Sequence, residues 1–414
     1  MPVTASSPLH SLEHVDAAGF AREIRALGEE IRANLGEDDY RHLRKMERWG
    51  RLCTVLGYAT AWIAPNPLSA ALLCQGRTTR WMLGHHIFHR GYDRVPGIPV
   101  RYTSKGFARG WRRYIDWFDW WLPEAWDHMH TTLHHYNTGD PVDADLVELT
   151  PGRNKFVRTL VFGWYTLTWK WFYYAFYTMR ELQNERKRRA QREKSGPGTA
   201  PARGTDNPYR MSRPDMRETP FLLGLKDLID LSNKNVREVW RRCLLPFGLF
   251  QFVAVPLLFL PLGMWASFSV LCNVVLGDLL TNFQGFLCNR PSHTGDDLFL
   301  FDTRAQSKEE FYVRQVIGTT NYRTGGNPLN FVQFWINYQI EHHLWPNIPM
   351  LKYMQYQPRV KALCEKYGLP YAQESVWKRF ARLYRVSIGE ARMRKISTSH
   401  LIPEAASRAS AAIA

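Results

Sequence analysis

Cysteine is scarce in this chain: Cys53, Cys74, Cys243, Cys272, Cys288 and Cys364 are the six in 414 residues, and no two form a Cys-x-x-Cys pair. That excludes a disulfide framework and a thiolate-held zinc or iron–sulfur site, and leaves cysteines that read as reduced, small hydrophobes. Acidic residues are also short, 38 Asp and Glu against 54 Lys and Arg, for a net charge of +16. A mean hydropathy of -0.36 excludes a chain buried mostly in lipid. Any membrane spans are a minority, and a large polar part lies outside them. From Met1 to His14 there is no basic-then-apolar pattern, so no cleaved signal peptide is expected.

The basic excess does not point to nucleic acid. It crowds into runs beside apolar segments, Arg77 to Arg113 and Arg180 to Lys194. That distribution fits the positive-inside rule and attraction to anionic lipid. What the chain has in plenty is aromatic side chains, with 16 Trp, 19 Tyr and 22 Phe, a load suited to membrane interfaces.

Organisation follows from the apolar runs. Residues 1–50 are polar, with Phe20, Ile24, Leu27, Ile31 and Leu35 at helical spacing. This predicts an amphipathic helix over Ala21 to Leu35, on a cytosolic cap or the membrane surface. Apolar spans are expected at about 52–64 and 67–83, divided by Pro65, Asn66 and Pro67, and again at about 244–262 and 265–287. Each pair reads as a hairpin of transmembrane helices. Tyr114 to Trp126 is too short and charged to cross and is expected in the interface. Phe156 to Thr178 is long enough, but Lys170 near its middle would be costly in lipid. Counting it as a crossing would also put the later histidines on the wrong side, so it reads as an embedded or interfacial helix. A basic linker is expected at about 180–220, a helix at Pro358 to Tyr367, and a C-terminal cytosolic tail at 372–414.

Three histidine clusters stand beside these segments: His85, His86 and His89; His130, His134 and His135; and His342 with His343, preceded by Gln339. Imidazole is well suited to Fe, Zn, Cu or Ni, and a His-x-x-x-His spacing puts two rings on one helix face. One His-x-x-x-His-His pattern arises by chance in roughly 0.02 chains of this composition. Three segments therefore point to one metal site. Lone histidines, here His10, His14, His42 and His400, are ordinarily satisfied core or surface residues, and His128 is near the second cluster at the wrong spacing.

The run from His85 to His89, the run from His130 to His135 continuing into Tyr136, Asn137, Thr138 and Gly139, and Gln339-Ile-Glu-His-His343 resemble the histidine boxes of membrane fatty acid desaturases. The resemblance covers roughly Trp49 to Tyr371. It implies an all-α integral membrane domain over 51–371, with four transmembrane helices in two hairpins, interfacial helices and a cytosolic histidine-rich di-iron cap. It also implies O2 as co-substrate and His85, His89, His130, His134, His135, His342 and His343 as iron ligands. Asn289 and His293 match a further iron-neighbouring pair of that family. His86 stands where an Asp is common and Gln339 where some members have a histidine, which makes these two and His128 candidates for supporting roles or alternative ligands. Asp140, Asp143, Asp145 and Glu341 lie close enough in sequence to orient ligand rings.

The activity implied is oxygen-dependent desaturation of a lipid acyl chain. The alternative is a related membrane hydroxylase or ketolase acting on an acyl chain, alkane, sterol or carotenoid; a non-catalytic haem or metal carrier is a third. No His-Pro-Gly-Gly signature or cysteine cluster marks a fused electron carrier. A separate donor of ferredoxin or cytochrome b5 type is therefore expected. The resemblance places the boxes on the cytoplasmic side, at the inner membrane if the source is bacterial.

Overall fold

The computed structural model describes residues 15–140, 143, 154–195, 230–301 and 303–396. Much of the expected basic linker, Asp145, His10, His14, His400 and the chain after 396 lie outside the described residues.

Helix α1 (Ala17–Ala33) starts where the Asp16 carboxylate accepts from the Gly19 N–H at 2.7 Å. Its apolar stripe of Phe20, Ile24, Leu27 and Ile31 is fully buried, so it covers the polar cap and does not lie on a membrane. Helices α2 (Glu37–Ala61) and α3 (Pro67–Phe88) form the first hairpin. The Asn66 side chain caps α3 by accepting from Ser69 N at 2.7 Å, with Pro67 in the first turn where no N–H is needed. Both helices run further toward the histidines than their apolar cores, because their cap-side ends are polar and hydropathy does not register them.

Helix α4 (Lys155–Trp169) continues through a π turn (Lys170–Tyr174) into α5 (Ala175–Ser195). Lys170 faces inward: its Nζ is 3.2 Å from the Asp119 carboxylate and lies over the Trp121 ring. The cost of a charge in lipid is therefore not what decides this segment's place.

The second hairpin is α6 (Lys234–Leu262) and α7 (Met264–Asn289), joined at Gly263, whose φ of 109° favours glycine. In α6, π turns at Trp240–Leu244 and Phe250–Ala254 each end two residues before a proline, Pro246 and Pro256. The widened turns accommodate rings that cannot donate to the preceding turn.

Of the four expected crossings, two stand out by length and composition. Only α6 and the α7 helix, continued to Ser292, are long and apolar enough to cross a membrane by themselves among the described residues. The first hairpin is long enough but carries Arg51, Arg77 and Arg80. Arg77 is not left to lipid, since it pairs with Asp278 of α7 at 2.8 Å. Trp120 and Trp171 donate to the other oxygen of that carboxylate at 2.9 and 2.6 Å. At the opposite end the hairpin tips also meet, with Asn273 bonding Ala61 O, Ala64 O and Asn66 N.

The segment from 114 to 126 also departs from expectation. Trp117, Trp121 and Trp126 are fully buried and pack as a ring cluster around α3. They are core residues, and only Tyr114 and Ile115 here are exposed as an interface would require. The remaining cap holds α8 (Lys308–Ile317), α9 (Gln339–Leu344), α10 (Met350–Lys366) and α11 (Val376–Ser387). Helix α10 begins eight residues before the expected helix and carries Pro358 inside it. The expected tail is partly built into the fold. Strand β1 (Phe299–Phe301) pairs in parallel with β4 (Arg394–Ile396), and β2 (Asn321–Tyr322) with β3 (Gln373–Glu374).

Candidate metal centre

The first cluster sits where α3 stops. Arg90 takes a left-handed φ of 63°, with Arg90 N bonding Ile87 O at 2.9 Å and Gly91 N bonding His86 O at 3.1 Å. This double closure is a Schellman motif, and it fixes the last turn that carries His85 and His89. Trp117 packs against Gly84, where an added Cβ would come within 2.2 Å of the ring. The cluster's position along α3 is thus set from both sides.

The second cluster lies on a π turn, His128–His134. Its closing bond runs from His135 N to His130 O at 3.2 Å, five residues back. The wider turn changes what the spacing implies. His130 is grouped with His135, while His134 is turned toward a different neighbour. The third cluster is on the short helix α9, where adjacent residues point about 100° apart, so His342 and His343 serve different neighbours too.

Two overlapping groups result. His85, His89, His130, His135 and His342 bring one ring nitrogen each within 4.8 Å of one another, and His134, His135 and His343 do the same. All seven are buried, and His135 belongs to both groups. Contacts inside the first group are close: His85 Nε2 to His342 Nε2 is 2.9 Å, and His130 Nε2 is 3.3 Å from both His85 Nε2 and His135 Nε2. A metal–nitrogen bond of ~2.1 Å places neighbouring ligand atoms ~3 Å apart, so these are the spacings of a coordination shell. His293 stands beside the second group, its ring 4.5 Å from His134 and 4.8 Å from His343.

The other ring nitrogens decide which atoms face inward. His134 Nδ1 is 2.7 Å from the Asp143 carboxylate, His343 Nδ1 is 2.9 Å from Gln315 Oε1, and His342 Nδ1 is 3.3 Å from the Tyr353 hydroxyl. Donation from Nδ1–H fixes the tautomer and leaves the Nε2 lone pair for a metal. Burial, followed by the neighbouring imidazoles, holds His85, His89, His135, His342 and His343 well below the usual histidine range. They are neutral at pH 7, as ligands must be. Neither ring nitrogen of His89 has a hydrogen-bond partner among the described residues. Neutral lone pairs crowded in this way fit a cation at the centre of each group.

Among known proteins, the fatty acid desaturase family profile matches residues 58–375 of this chain, a stretch that contains every histidine of both groups. The chain belongs to the fatty acid desaturase family. Curated relatives match over shorter stretches. The NADPH-dependent stearoyl-CoA 9-desaturase of Mycobacterium tuberculosis is 32% identical over 84 residues, 20% of this chain and 19% of the relative. The acyl-lipid (8-3)-desaturase of Rebecca salina is 44% identical over 54 residues, 12% of this chain and 13% of the relative. The Delta(5) fatty acid desaturase A of Dictyostelium discoideum is 26% identical over 133 residues, 31% of this chain and 27% of the relative. The matched stretch thus spans less than a third of each of these relatives.

Within this family member, several expected supporting residues lie outside both groups, although the His86 ring packs 5.2 Å from His85 and 5.7 Å from His342. His86 bonds the Phe334 carbonyl at 3.3 Å and is in neither group. His128 also stands outside both groups, and its nearest charges are Glu185, Arg188 and Arg189 of α5. Asp140 pairs with Arg314 at 2.9 Å. Glu341 bonds Asn321 and the Tyr371 hydroxyl, both at 2.8 Å, and burial pushes its carboxyl up to about 7. Neither acid touches a ring of the two groups; of the three that are described, only Asp143 is found on one. Asn289 Oδ1 and both amide atoms of Gln339 are buried without a hydrogen-bond partner among the described residues. Sequence reading missed Gln315 and Tyr353 altogether. Both lie on ordinary amphipathic helices, and no local pattern separates them from core-facing polar residues.

Proposed function

We propose that this protein is an oxygen-dependent fatty acyl desaturase that holds two irons between its histidine clusters. The observation that carries the reading is the pair of overlapping groups of buried imidazoles, with His135 in both. His85, His89, His130 and His342 would hold one iron and His134, His343 and His293 the other, with His135, whose Nε2 is 3.3 Å from His130 Nε2, giving its one lone pair to the first. Asn289 Oδ1 and the Gln339 amide, buried and without a hydrogen-bond partner among the described residues, complete the lining. When bound, the irons supply the activation of O2 that turns two electrons, two protons and a pair of acyl methylenes into one double bond and two waters.

The chain's own residues do the rest. Asp143, Gln315 and Tyr353 orient the rings, and the tryptophans around α3 keep water from the first group. We place both hairpins across the membrane as four spans, with Arg77 and Asp278 neutralising one another inside. The cap ends of α3 and α6 are basic and would face the cytoplasm, at the inner membrane if the source is bacterial. Electrons would come from a separate ferredoxin or cytochrome b5-type donor.

Expression in a host of known lipid profile, with mass spectrometric mapping of double bonds, tests the proposal. A new double bond that disappears with His342→Ala is expected. A hydroxylated or keto product in its place would reject desaturation.

A further inference from the structure

A cavity of about 290 Å³ opens between the cap ends of α2 and α3 and the segment from 101 to 116. It is separate from the metal centre. Its α3 wall is Gly76, Thr79, Arg80, Leu83 and Ile87, which recur at three- and four-residue intervals on one helix face. His85 lies about 180° around the axis from Gly76, so the histidines use the opposite face.

The cavity is charged at the rim and apolar within. Four arginines line it, Arg51, Arg80, Arg101 and Arg112, against two carboxylates, Glu47 and Asp116. Both carboxylates are already engaged. Arg112 holds Asp116 through two bonds of 2.8 and 2.9 Å, and Glu47 takes the guanidinium groups of Arg44 and Arg51 and the Tyr102 hydroxyl. Arg80 is half-buried and makes no hydrogen bond or ion pair with the described residues. Leu83, Ile87 and Phe107 supply apolar wall on its cap side.

The surroundings say what reaches the mouth. Below it on α2, Leu52, Val55, Leu56, Trp62 and Ile63 form an exposed apolar stripe, and beside it Trp111, Tyr114 and Ile115 are exposed. Exposed Trp and Tyr among arginines, at the end of an apolar stripe, mark the depth of lipid headgroups.

We infer that this cavity binds the headgroup of a membrane phospholipid, its phosphate on the unpaired Arg80 guanidinium and an acyl chain down the exposed Leu52, Val55 and Leu56 stripe of α2. The inference rests on the membrane seating proposed above and not on the reaction, so a protein that forms no double bond would leave its test unchanged.

The test is equilibrium binding to the full-length, iron-loaded protein in detergent, with dioctanoyl phosphatidylglycerol as probe. Dioctanoylglycerol, which has the same chains without phosphate, and inorganic phosphate, which has no chains, are the comparisons. The phospholipid is expected to bind at least tenfold tighter than either. Arg80→Gln should weaken it by roughly tenfold to a hundredfold, the range of a charge-assisted hydrogen-bonded contact. Arg80→Lys, which keeps the charge, should recover part of that loss, and the exposed Arg41→Gln should change nothing. Equal affinity for dioctanoylglycerol, or undiminished binding in Arg80→Gln, would overturn the site. Inorganic phosphate binding as tightly as the phospholipid would overturn the lipid assignment in favour of a free anion.

Discussion

At the residue scale, the centre depends on side chains that never reach the metal. Gln315 and Asp143 hold His343 and His134 through Nδ1. Replacing either by Leu or Asn removes the partner that selects the tautomer, and a loss of about 10–100-fold in iron affinity is expected on chelator titration. His42 gives a pH prediction outside the centre. Both its ring nitrogens are buried, it packs edge-on to Trp335, and burial lowers its pKa to about 4. Because the folded value lies below the unfolded one of about 6.5, the native state binds fewer protons. The associated stability is complete above pH 6.5 and is lost as pH falls toward 4. Thermal unfolding of the iron-loaded protein between pH 7 and 4.5 should show that loss, up to ~3 kcal/mol, and His42→Phe should reduce it. The proposed ligands could be picked out by spacing because imidazole clusters are rare. Their partners could not, since a glutamine or tyrosine on an amphipathic helix carries no local mark of what lies opposite it in the fold.

At the element scale, helix geometry assigns each histidine its neighbour. The π turn at His128–His134 makes the i to i+5 pair His130 and His135 converge, where an α-helix would have favoured His130 and His134. Hydropathy located the second hairpin well, and the first less so, because its arginines are neutralised by residues distant in sequence. The Arg77–Asp278 pair is an example. Arg77→Met, which leaves Asp278 buried without its cation, should destabilise the protein by about 3 kcal/mol in detergent unfolding, and Arg77→Met with Asp278→Asn should recover most of it. The same long-range logic hid the burial of Trp117 and Trp121, which looked interfacial in a charged, aromatic stretch. Gly84→Ala tests that packing: a methyl group 2.2 Å from the Trp117 ring must displace it. A cost of about 1–3 kcal/mol is expected, together with weaker iron binding, because His85 follows immediately.

At the scale of the whole molecule, two hairpins raise a cap in which three distant segments meet, and α1 and the β1–β4 and β2–β3 pairs close the cap around them. That arrangement explains why histidines separated by more than 250 residues, His85 and His342, come within hydrogen-bond distance, 2.9 Å between Nε2 atoms. Each of the two groups is proposed to hold one iron. Iron stoichiometry of the purified full-length protein and two variants tests it most directly. About two irons per chain are expected, and about one in each of His343→Ala and His135→Ala. A single iron in the unaltered protein, or two in His135→Ala, would contradict it.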